Sequence, residues 1–158
     1  MERVNKILYH PIFRSTLRQI ERLESERIFC LHNLDHVLSV ARIMLLCARE
    51  EGIEIAKEVL YATALLHDLG RAYQEEQGGN HARLGLALAK DILTDCSFSE
   101  EEREHIVTAI ANHNQAEASD PLSALLQKAD KLSRNCFLCP AYQECYWPEL
   151  QKNQGVVL

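Results

Sequence analysis

The residues best suited to metal chemistry in this chain are histidines and aspartates near the ends of apolar helical segments. His67 and Asp68 are adjacent, directly after the apolar run 64–66 and directly before Leu69 and Gly70. Adjacent positions of a helix point about 100° apart, so these two side chains can converge on one point only near a helix end. An imidazole nitrogen and a carboxylate oxygen that converge there can bind the same divalent metal ion.

Other candidate ligands occupy comparable places in neighbouring segments. His36 lies in the first turn of one predicted helix, His81 begins another, and His113 ends a third. Asp130 lies late in a further helix, on a face that the apolar pattern predicts to be buried. A buried carboxylate needs a partner, and a metal ion is one of the few that suffice. Since antiparallel helices bring their ends together, we expect these side chains to share one mouth of a helical bundle.

The elements that must position these residues are all predicted to be helices. Apolar residues recur at three- and four-residue steps, and no alternating strand pattern extends beyond a few residues. Asn33, Ser99 and Asp120 are predicted N-caps, Ser99 as part of a capping box with Glu102. The polar segment 74–80 is predicted to be a loop, and Gly70 to end the helix before it. We therefore predict an all-α bundle of about six to seven helices, at residues 2–9, 12–26, 34–50, 54–69, 81–93, 100–113 and 121–132.

Length and composition predict one globular domain. The chain has 158 residues, of which 47% are hydrophobic and 25% charged. Its net charge of −6 argues against broad binding to nucleic acid or anionic membranes, although a local basic pocket for a small phosphorylated ligand is compatible with it. No apolar signal segment follows the first residues, and no apolar run is long enough to cross a bilayer. We therefore expect a cytoplasmic protein.

Three cysteines cluster near the C-terminus. Cys136 and Cys139 have the two-residue spacing of a metal half-site, and Cys145 follows. Three clustered cysteines suggest zinc or an iron–sulfur cluster, with Cys30 or His32 as candidates for a fourth ligand. The alternative is a packed group of thiols, or a disulfide formed on exposure to air.

The sequence around the first four candidate ligands resembles a known family. His36, then His67-Asp68 within Leu-Leu-His-Asp-Leu-Gly-Arg, then Asp130 within Ala-Asp-Lys-Leu-Ser-Arg are similar to the H…HD…D signature of HD-domain metal-dependent phosphohydrolases. The similarity covers roughly residues 30–135. It implies an HD domain over residues 1–135, with an N-terminal helical extension, followed by a cysteine-containing tail over 136–158. It also implies a divalent metal ion held by these four residues.

Several branches of that superfamily add two histidines before the last aspartate and bind two metal ions. His81 and His113 stand where these histidines are expected, and Asp68 would then bridge the ions. The pattern is especially similar to bacterial HD-type dinucleoside tetraphosphatases. The resemblance therefore implies hydrolysis of a nucleotide or another small phosphate ester, with one or two ions from among Fe, Mn, Ni, Co, Zn and Mg. A one-metal site with four ligands is the alternative.

We assign catalytic roles to Asp68, Arg71 and Lys131. Two divalent ions about 3.5–4 Å apart would lower the pKa of a bridging water and bind the phosphoryl oxygens. Arg71 and Lys131, together with Arg134, are placed to neutralise the charge of a phosphate group. Two other functions fit the same ligand pattern, namely a non-catalytic metal-binding or sensing module and a di-iron oxygenase.

Overall fold

The structure, a computed structural model, describes residues 1–115, 118 and 120–156, and this part of the chain contains helices and no β-strand. The all-α prediction is confirmed, and seven of the described α-helices have eight or more residues. None of the described helices is both long enough and apolar enough to span a membrane. The helices are α1 (Glu2–Tyr9), α2 (Pro11–Leu23), α3 (Leu34–Glu50), α4 (Lys57–Leu66), α5 (Arg71–Gln77), α6 (His81–Leu84), α7 (Leu86–Asp95), α8 (Glu100–Asn112) and α9 (Pro121–Leu132), followed by 3₁₀ turns at Cys136–Leu138 and Glu149–Gln151.

Helix α4 forms the centre of the bundle. It packs against α1, α3, α8 and α9, and its residues from Ala62 to Leu66 are all buried. A helix that is apolar on every side is expected at such a position. Because α4 ends inside the bundle, the turn that follows it, with His67 and Asp68, is buried as well.

Side-chain caps fix where several helices begin. The Asn33 side chain accepts a hydrogen bond from the backbone N–H of His36 at 3.1 Å, so the cap and a candidate ligand lie in one turn. Ser99 and Glu102 form the predicted capping box at the start of α8, and Asp120 caps α9. These caps satisfy backbone donors that a helix start otherwise leaves unpaired.

The prediction of a loop over 74–80 is wrong for its first half. Helix α5 continues to Gln77, because Gln74 to Gln77 are residues of good helix propensity. It ends at Gly78, whose φ of 66° lies outside helical geometry. The helix predicted over 81–93 is likewise interrupted, at Gly85, between α6 and α7.

Gly70 and Gly85 allow two backbone segments to cross in contact. A Cβ on Gly70 would overlap the carbonyl oxygen of His81 and lie 2.6 Å from the backbone nitrogen of Gly85. Gly70 has a φ of −67°, so space and not a left-handed conformation requires glycine here. The crossing brings the start of α6, with His81, against the turn that follows α4.

The segment after α9 folds back against the end of the bundle. Asn153 donates a hydrogen bond to the Arg134 carbonyl at 2.7 Å. The Arg134 guanidinium lies 4.1 Å from the centre of the Trp147 ring. Tyr146 stacks on Trp147 and meets the Phe29 ring edge-on, with ring centres 6.4 Å apart. The tail therefore contacts both α9 and the connector between α2 and α3.

Candidate metal centre

The six predicted His/Asp ligands converge at one end of the bundle, with Asp68 at the centre. The Asp68 side chain is almost fully buried, and its Oδ2 lies 3.2 Å from His67 Nε2 and 3.6 Å from His36 Nε2. Its Oδ1 lies 3.3 Å from His81 Nε2. These side chains come from the start of α3, the turn after α4 and the start of α6, so residues distant in sequence surround one carboxylate.

Two groups of potential ligand atoms share Asp68. His36, His67 and Asp68 each offer an atom within 4.8 Å of the others, and so do Asp68, His81 and His113. Helix α8 supplies His113, the residue directly after its end. A carboxylate has two oxygens, so a residue that belongs to both groups is suited to bridging two ions.

Asp130 lies at the edge of the first group. Its Oδ1 is 3.5 Å from His36 Nε2, and its Oδ2 is 3.2 Å from Arg134 Nη2. The side chain is 22% exposed, so the face of α9 that was predicted to be buried is only partly covered at this position. Asp130 therefore connects the His/Asp cluster to the tail through Arg134.

The cluster contains buried polar atoms that the described part of the protein leaves without hydrogen bonds. A buried polar group without a partner is strongly destabilising, and most buried polar atoms in proteins are paired. Nitrogen and oxygen ligands of this kind suit divalent transition metals such as iron, manganese and zinc. The residues therefore fit a divalent metal centre. The unpaired atoms are His36 Nε2, His67 Nε2 and both carboxylate oxygens of Asp68.

Two histidines are oriented by backbone carbonyls. His67 Nδ1 lies 2.7 Å from the Ala64 carbonyl oxygen, and His113 Nδ1 lies 2.6 Å from that of Ile110. An Nδ1–H that donates to a carbonyl fixes the ring and leaves Nε2 as the metal-binding nitrogen. Both rings are thus held with Nε2 free for a ligand.

The electrostatics of the cluster are dominated by the buried Asp68 carboxylate, which faces three imidazoles and the Arg71 guanidinium. Burial opposes protonation of His67, but the charge of Asp68 outweighs it and raises the His67 pKa to about 9. Burial also disfavours the Asp68 carboxylate, yet His67, His36 and His81 hold the Asp68 pKa well below its usual range. Burial, reinforced by the His67 charge, lowers the pKa of His113 to about 4. Asp68 thus attracts positive charge, which a divalent ion supplies.

The two groups are not equivalent. His81 Nε2 lies 3.1 Å from Nδ2 of Asn114 as well as close to Asp68. This amide would have to turn away before His81 could bind a metal through that nitrogen. In the first group, the Nε2 atoms of His36 and His67 have no such competitor among the described residues.

The structure adds His32 to the cluster, a residue that the sequence offered only as a partner for the cysteines. Its Nε2 lies 4.0 Å from Asp68 Oδ2, and its Nδ1 lies 2.6 Å from Glu24 Oε1. Burial is the main cause that lowers the His32 pKa. His32 lies one residue before the Asn33 cap and four residues before His36. This short spacing is the sequence signal that could have placed His32 near the predicted ligands.

Three arginines surround a cavity beside the cluster. Arg27, Arg71 and Arg134 line a space of about 90 Å³ that also reaches Asp130. Arg71 Nε lies 2.8 Å from Asp68 Oδ1. Lys131 is exposed and is not among the described residues that line this cavity. The cluster therefore borders a small cationic space, which three arginines and one carboxylate line.

The stretch that holds all six predicted ligands also matches a known family. The HD domain matches residues 33–135. This chain belongs to the HD-domain family. The HD domain and the His/Asp cluster together point to divalent-metal binding and to the metal-dependent phosphohydrolase superfamily.

Several relatives resemble the chain over different shares of their length. An uncharacterized protein of Clostridium beijerinckii is 39% identical over 153 residues, which cover 97% of each chain. Ribonuclease Y of Acetivibrio thermocellus is 30% identical, and that of Geotalea uraniireducens 36%, each over 125 residues. Those 125 residues are 78% of this chain but only 22% of each ribonuclease Y. No solved structure matches this HD-domain chain.

Proposed function

We propose that this HD-domain protein hydrolyses a nucleotide or another small phosphate ester with the help of two divalent metal ions. The observation that carries the proposal is the buried Asp68 carboxylate, which belongs to two groups of potential ligand atoms. We further propose that residues 1–135 form one HD domain. The proposed ligands are His36, His67, Asp68, His81, His113 and Asp130.

Each part of the site has a proposed role in phosphoryl chemistry. When bound, a pair of divalent ions activates a water molecule and polarises the phosphoryl oxygens. Asp68 holds the centre together, while the carbonyl contacts of His67 and His113 keep both rings in a binding orientation. Arg71 lies between Asp68 and the cationic cavity, where its guanidinium can bind phosphoryl oxygens in a bidentate way.

The small volume of the cavity favours a substrate that places only its phosphoryl group inside and leaves the rest of the molecule outside. A space of about 90 Å³ holds a phosphoryl group and is far smaller than a pocket for a whole nucleotide. Tyr146 and Trp147 line the same space, and Tyr146 is largely exposed. An exposed aromatic ring beside a phosphate site can stack on a base, which supports a nucleotide. The proposed phosphate contact of Lys131, at the exposed end of α9, stays a prediction.

A second substrate class is a phosphodiester bond in short RNA. The similarity to ribonuclease Y of two bacteria favours this class. The net charge of −6 argues against a long RNA ligand, whereas the three arginines around the cavity suit one or two phosphates.

The test is phosphate release from a substrate panel by protein loaded separately with Mn²⁺, Fe²⁺ or Zn²⁺. The panel contains mononucleotides, dinucleoside polyphosphates and short RNA, and Asp68→Asn serves as the inactive comparison. We expect turnover in the wild type and a loss of at least about 100-fold in the variant. Stoichiometric metal without turnover of any substrate would instead favour a sensing module. Oxygen consumption by the iron form would favour the oxygenase.

A further inference from the structure

Four cysteines from two distant parts of the chain line one cavity. The cavity has a volume of about 480 Å³ and lies between the connector before α3 and the tail after α9. All four thiols are free, and so are the buried Cys47 and Cys96 elsewhere in the chain. The cavity-lining cysteines are Cys30, Cys136, Cys139 and Cys145.

The local backbone explains why the tail cysteines lie together. Residues 136–138 form a 3₁₀ turn, and the Cys139 N–H donates to the Cys136 carbonyl at 3.1 Å. A second turn follows at once, because the Tyr142 N–H donates to the Cys139 carbonyl at 3.1 Å. On the other side of the cavity, Arg27 donates to the Cys30 carbonyl at 3.0 Å. Two turns and a tethered connector thus present four thiols to one space.

Cys30 is electrostatically linked to the other three cysteines. Burial is the main cause that raises the pKa of its thiol, and Cys136, Cys139 and Cys145 raise that pKa further. Cys30 lines the 480 Å³ cavity with all three tail cysteines and the 90 Å³ cavity with Cys145, so the connector cysteine lies beside the tail cysteines. This identifies Cys30, rather than His32, as the fourth member, since His32 is engaged with Glu24 and faces Asp68.

The spacing of the sulfur atoms bears on the kind of metal centre. A tetrahedral zinc ion with Zn–S bonds of about 2.3 Å needs four sulfurs roughly 3.8 Å apart. Among the described residues, the groups of three or more ligand atoms within 4.8 Å of one another contain no cysteine. An iron–sulfur cluster has a separate iron for each cysteine and is therefore bound by thiolates that lie farther apart.

The charge of the surrounding residues suits an anionic cluster. Three cationic residues and one acidic residue line the same cavity as the four cysteines, namely Arg27, Arg134, Lys152 and Asp35. Four thiolates bring more negative charge than a 4Fe–4S core brings positive charge, so the bound cluster is an anion. Arg134 lines both cavities that Cys30 lines, so a cation lies beside the proposed cluster.

We propose that Cys30, Cys136, Cys139 and Cys145 bind a 4Fe–4S cluster that fastens the tail to the connector before α3. The site accepts an assembled cluster, so no electron is transferred on binding. The cluster comes by ligand exchange from a carrier that holds it through thiolates: each carrier Fe–S bond that breaks is replaced by an Fe–S bond to one cysteine, and the proton of that cysteine goes to the departing carrier thiolate. The cluster site stands apart from the proposed hydrolase function, because its cysteines are not among the proposed His/Asp ligands.

The cluster would also position one wall of the hydrolase site. Cys30 and Cys145 line the 90 Å³ cavity as well as the larger one, and Tyr146 and Trp147 follow Cys145 directly. A cluster bound to Cys145 therefore restrains the two aromatic residues that lie beside Arg134. Its loss should loosen this wall without removing a ligand of the His/Asp centre.

The test is the analysis of full-length protein purified without oxygen from cells supplied with ample iron. Acid-labile sulfide comes from an iron–sulfur cluster and not from iron at the His/Asp centre, so it separates the two sites. We expect about four sulfides per chain and a visible charge-transfer absorption. Changing any of the four cysteines to serine should remove most of the sulfide. The controls Cys47→Ser and Cys96→Ser should retain it.

Other outcomes would overturn the proposal in defined ways. One zinc ion per chain without labile sulfide would replace the cluster with a zinc site. Full sulfide in Cys30→Ser would remove Cys30 from the ligand set. Six titratable thiols in the unfolded protein, with neither metal nor sulfide, would leave only a group of packed cysteines. Circular dichroism of each variant shows whether its helices have formed. The sulfide content of the wild type tests the proposal even if a cysteine variant does not fold.

Discussion

At the scale of single residues, the site is organised by one buried carboxylate. Asp68 is 3% exposed, and the imidazoles of His36, His67 and His81 each approach one of its oxygens within 3.2–3.6 Å. Isolated burial of such a charge is strongly unfavourable, and the histidines alone leave its oxygens without hydrogen bonds. Arg71 supplies one positive charge on the Oδ1 side, and a divalent ion on either side would compensate the carboxylate further.

Asp68→Asn should therefore remove metal from both sides of the centre. The change preserves shape and removes the charge that both groups of ligands share. Elemental analysis should show a fall from about two ions per chain to fewer than one. His105→Ala, which changes an exposed histidine, should retain the wild-type metal content. An unchanged metal content in Asp68→Asn would contradict the bridging role.

Because the two groups of potential ligands are not equivalent, we expect a chelator to remove the two metal ions in two separate phases. Asn114 lies against His81 Nε2, so an ion bound on that side would compete with this contact. During titration with a chelator, we expect the His81 side to lose its ion at a lower chelator concentration. His81→Ala should abolish this first phase and leave the second phase in place. A single phase that releases both ions together would contradict the inequivalence.

Arg71 should contribute to turnover without contributing to metal retention. Its guanidinium faces both Asp68 and the cationic cavity. Arg71→Ala is expected to lower kcat/KM about 10–100-fold, with metal content unchanged, because a charged hydrogen bond to phosphate is lost. Arg71→Lys should recover only part of the loss. The control Lys128→Ala changes an exposed cation that pairs with Glu51, and it should retain full activity.

At the scale of elements, the site depends on how closely two backbone segments cross. Gly70 follows the His67–Asp68 turn by one residue, and its backbone touches that of His81 and Gly85. Any side chain at position 70 would push α6 away from α4. The distance between His81 and Asp68 is therefore set by the absence of a Cβ.

Gly70→Ala should destabilise the bundle and loosen the His81 side of the centre. We expect a loss of about 1–3 kcal/mol in the free energy of unfolding, as for other overpacked sites. Gly155→Ala is the matched control, because nothing lies within 4 Å of a Cβ built there. Its effect should stay within about 0.5 kcal/mol. Equal stability of the two variants in denaturant titration would contradict the close crossing.

At the scale of the whole molecule, Arg3 ties the N-terminal helix to the bundle. Its guanidinium lies 2.7 Å from Glu58 of α4 and 2.6 Å from Glu102 of α8, and 4.2 Å from the centre of the Phe98 ring. The hydrogen bond from Arg3 is the main cause that lowers the Glu58 pKa to about 2, and it also lowers the Glu102 pKa. One residue thus connects three helices far apart in sequence.

The ion pairs of Arg3 should make the free energy of unfolding fall as the pH is lowered. The pKa of Glu58 is lower in the folded protein than its usual value of 4.5, so its contribution is complete above pH 4.5 and disappears as pH falls towards 2. Arg3→Met should lower the free energy of unfolding by about 1 kcal/mol at neutral pH, since the ion pairs are partly solvent-screened. The difference from wild type should shrink as pH falls through this window.

A control separates this network from surface charge in general. Lys6 pairs with Glu2 in an exposed position, so Lys6→Met should change stability little at any pH. Denaturant titrations of the three proteins between pH 7 and pH 3 provide the comparison. A difference between Arg3→Met and wild type that stays constant over this range would contradict the ion-pair explanation.

The sequence by itself determined the helical class and the places where the three helices with side-chain caps begin. Apolar periodicity and the caps at Asn33, Ser99 and Asp120 are local features, because they involve residues within one or two turns of each other. The sequence also predicted that six histidines and aspartates would meet, since each lies at a helix end or late in a helix. Their convergence is seen in the structure, while their binding of metal stays a prediction.

Only the tertiary structure decided which of these residues touch. The position of Asp68 between two groups of ligands, the approach of His32 and the closeness of Cys30 to the tail depend on how separate segments pack. Gly70 shows the physical reason most directly. Its sequence context suggested a helix stop, but its required partner is backbone at residues 81 and 85. Contacts between distant segments depend on packing of the whole bundle, and local sequence patterns do not contain that information.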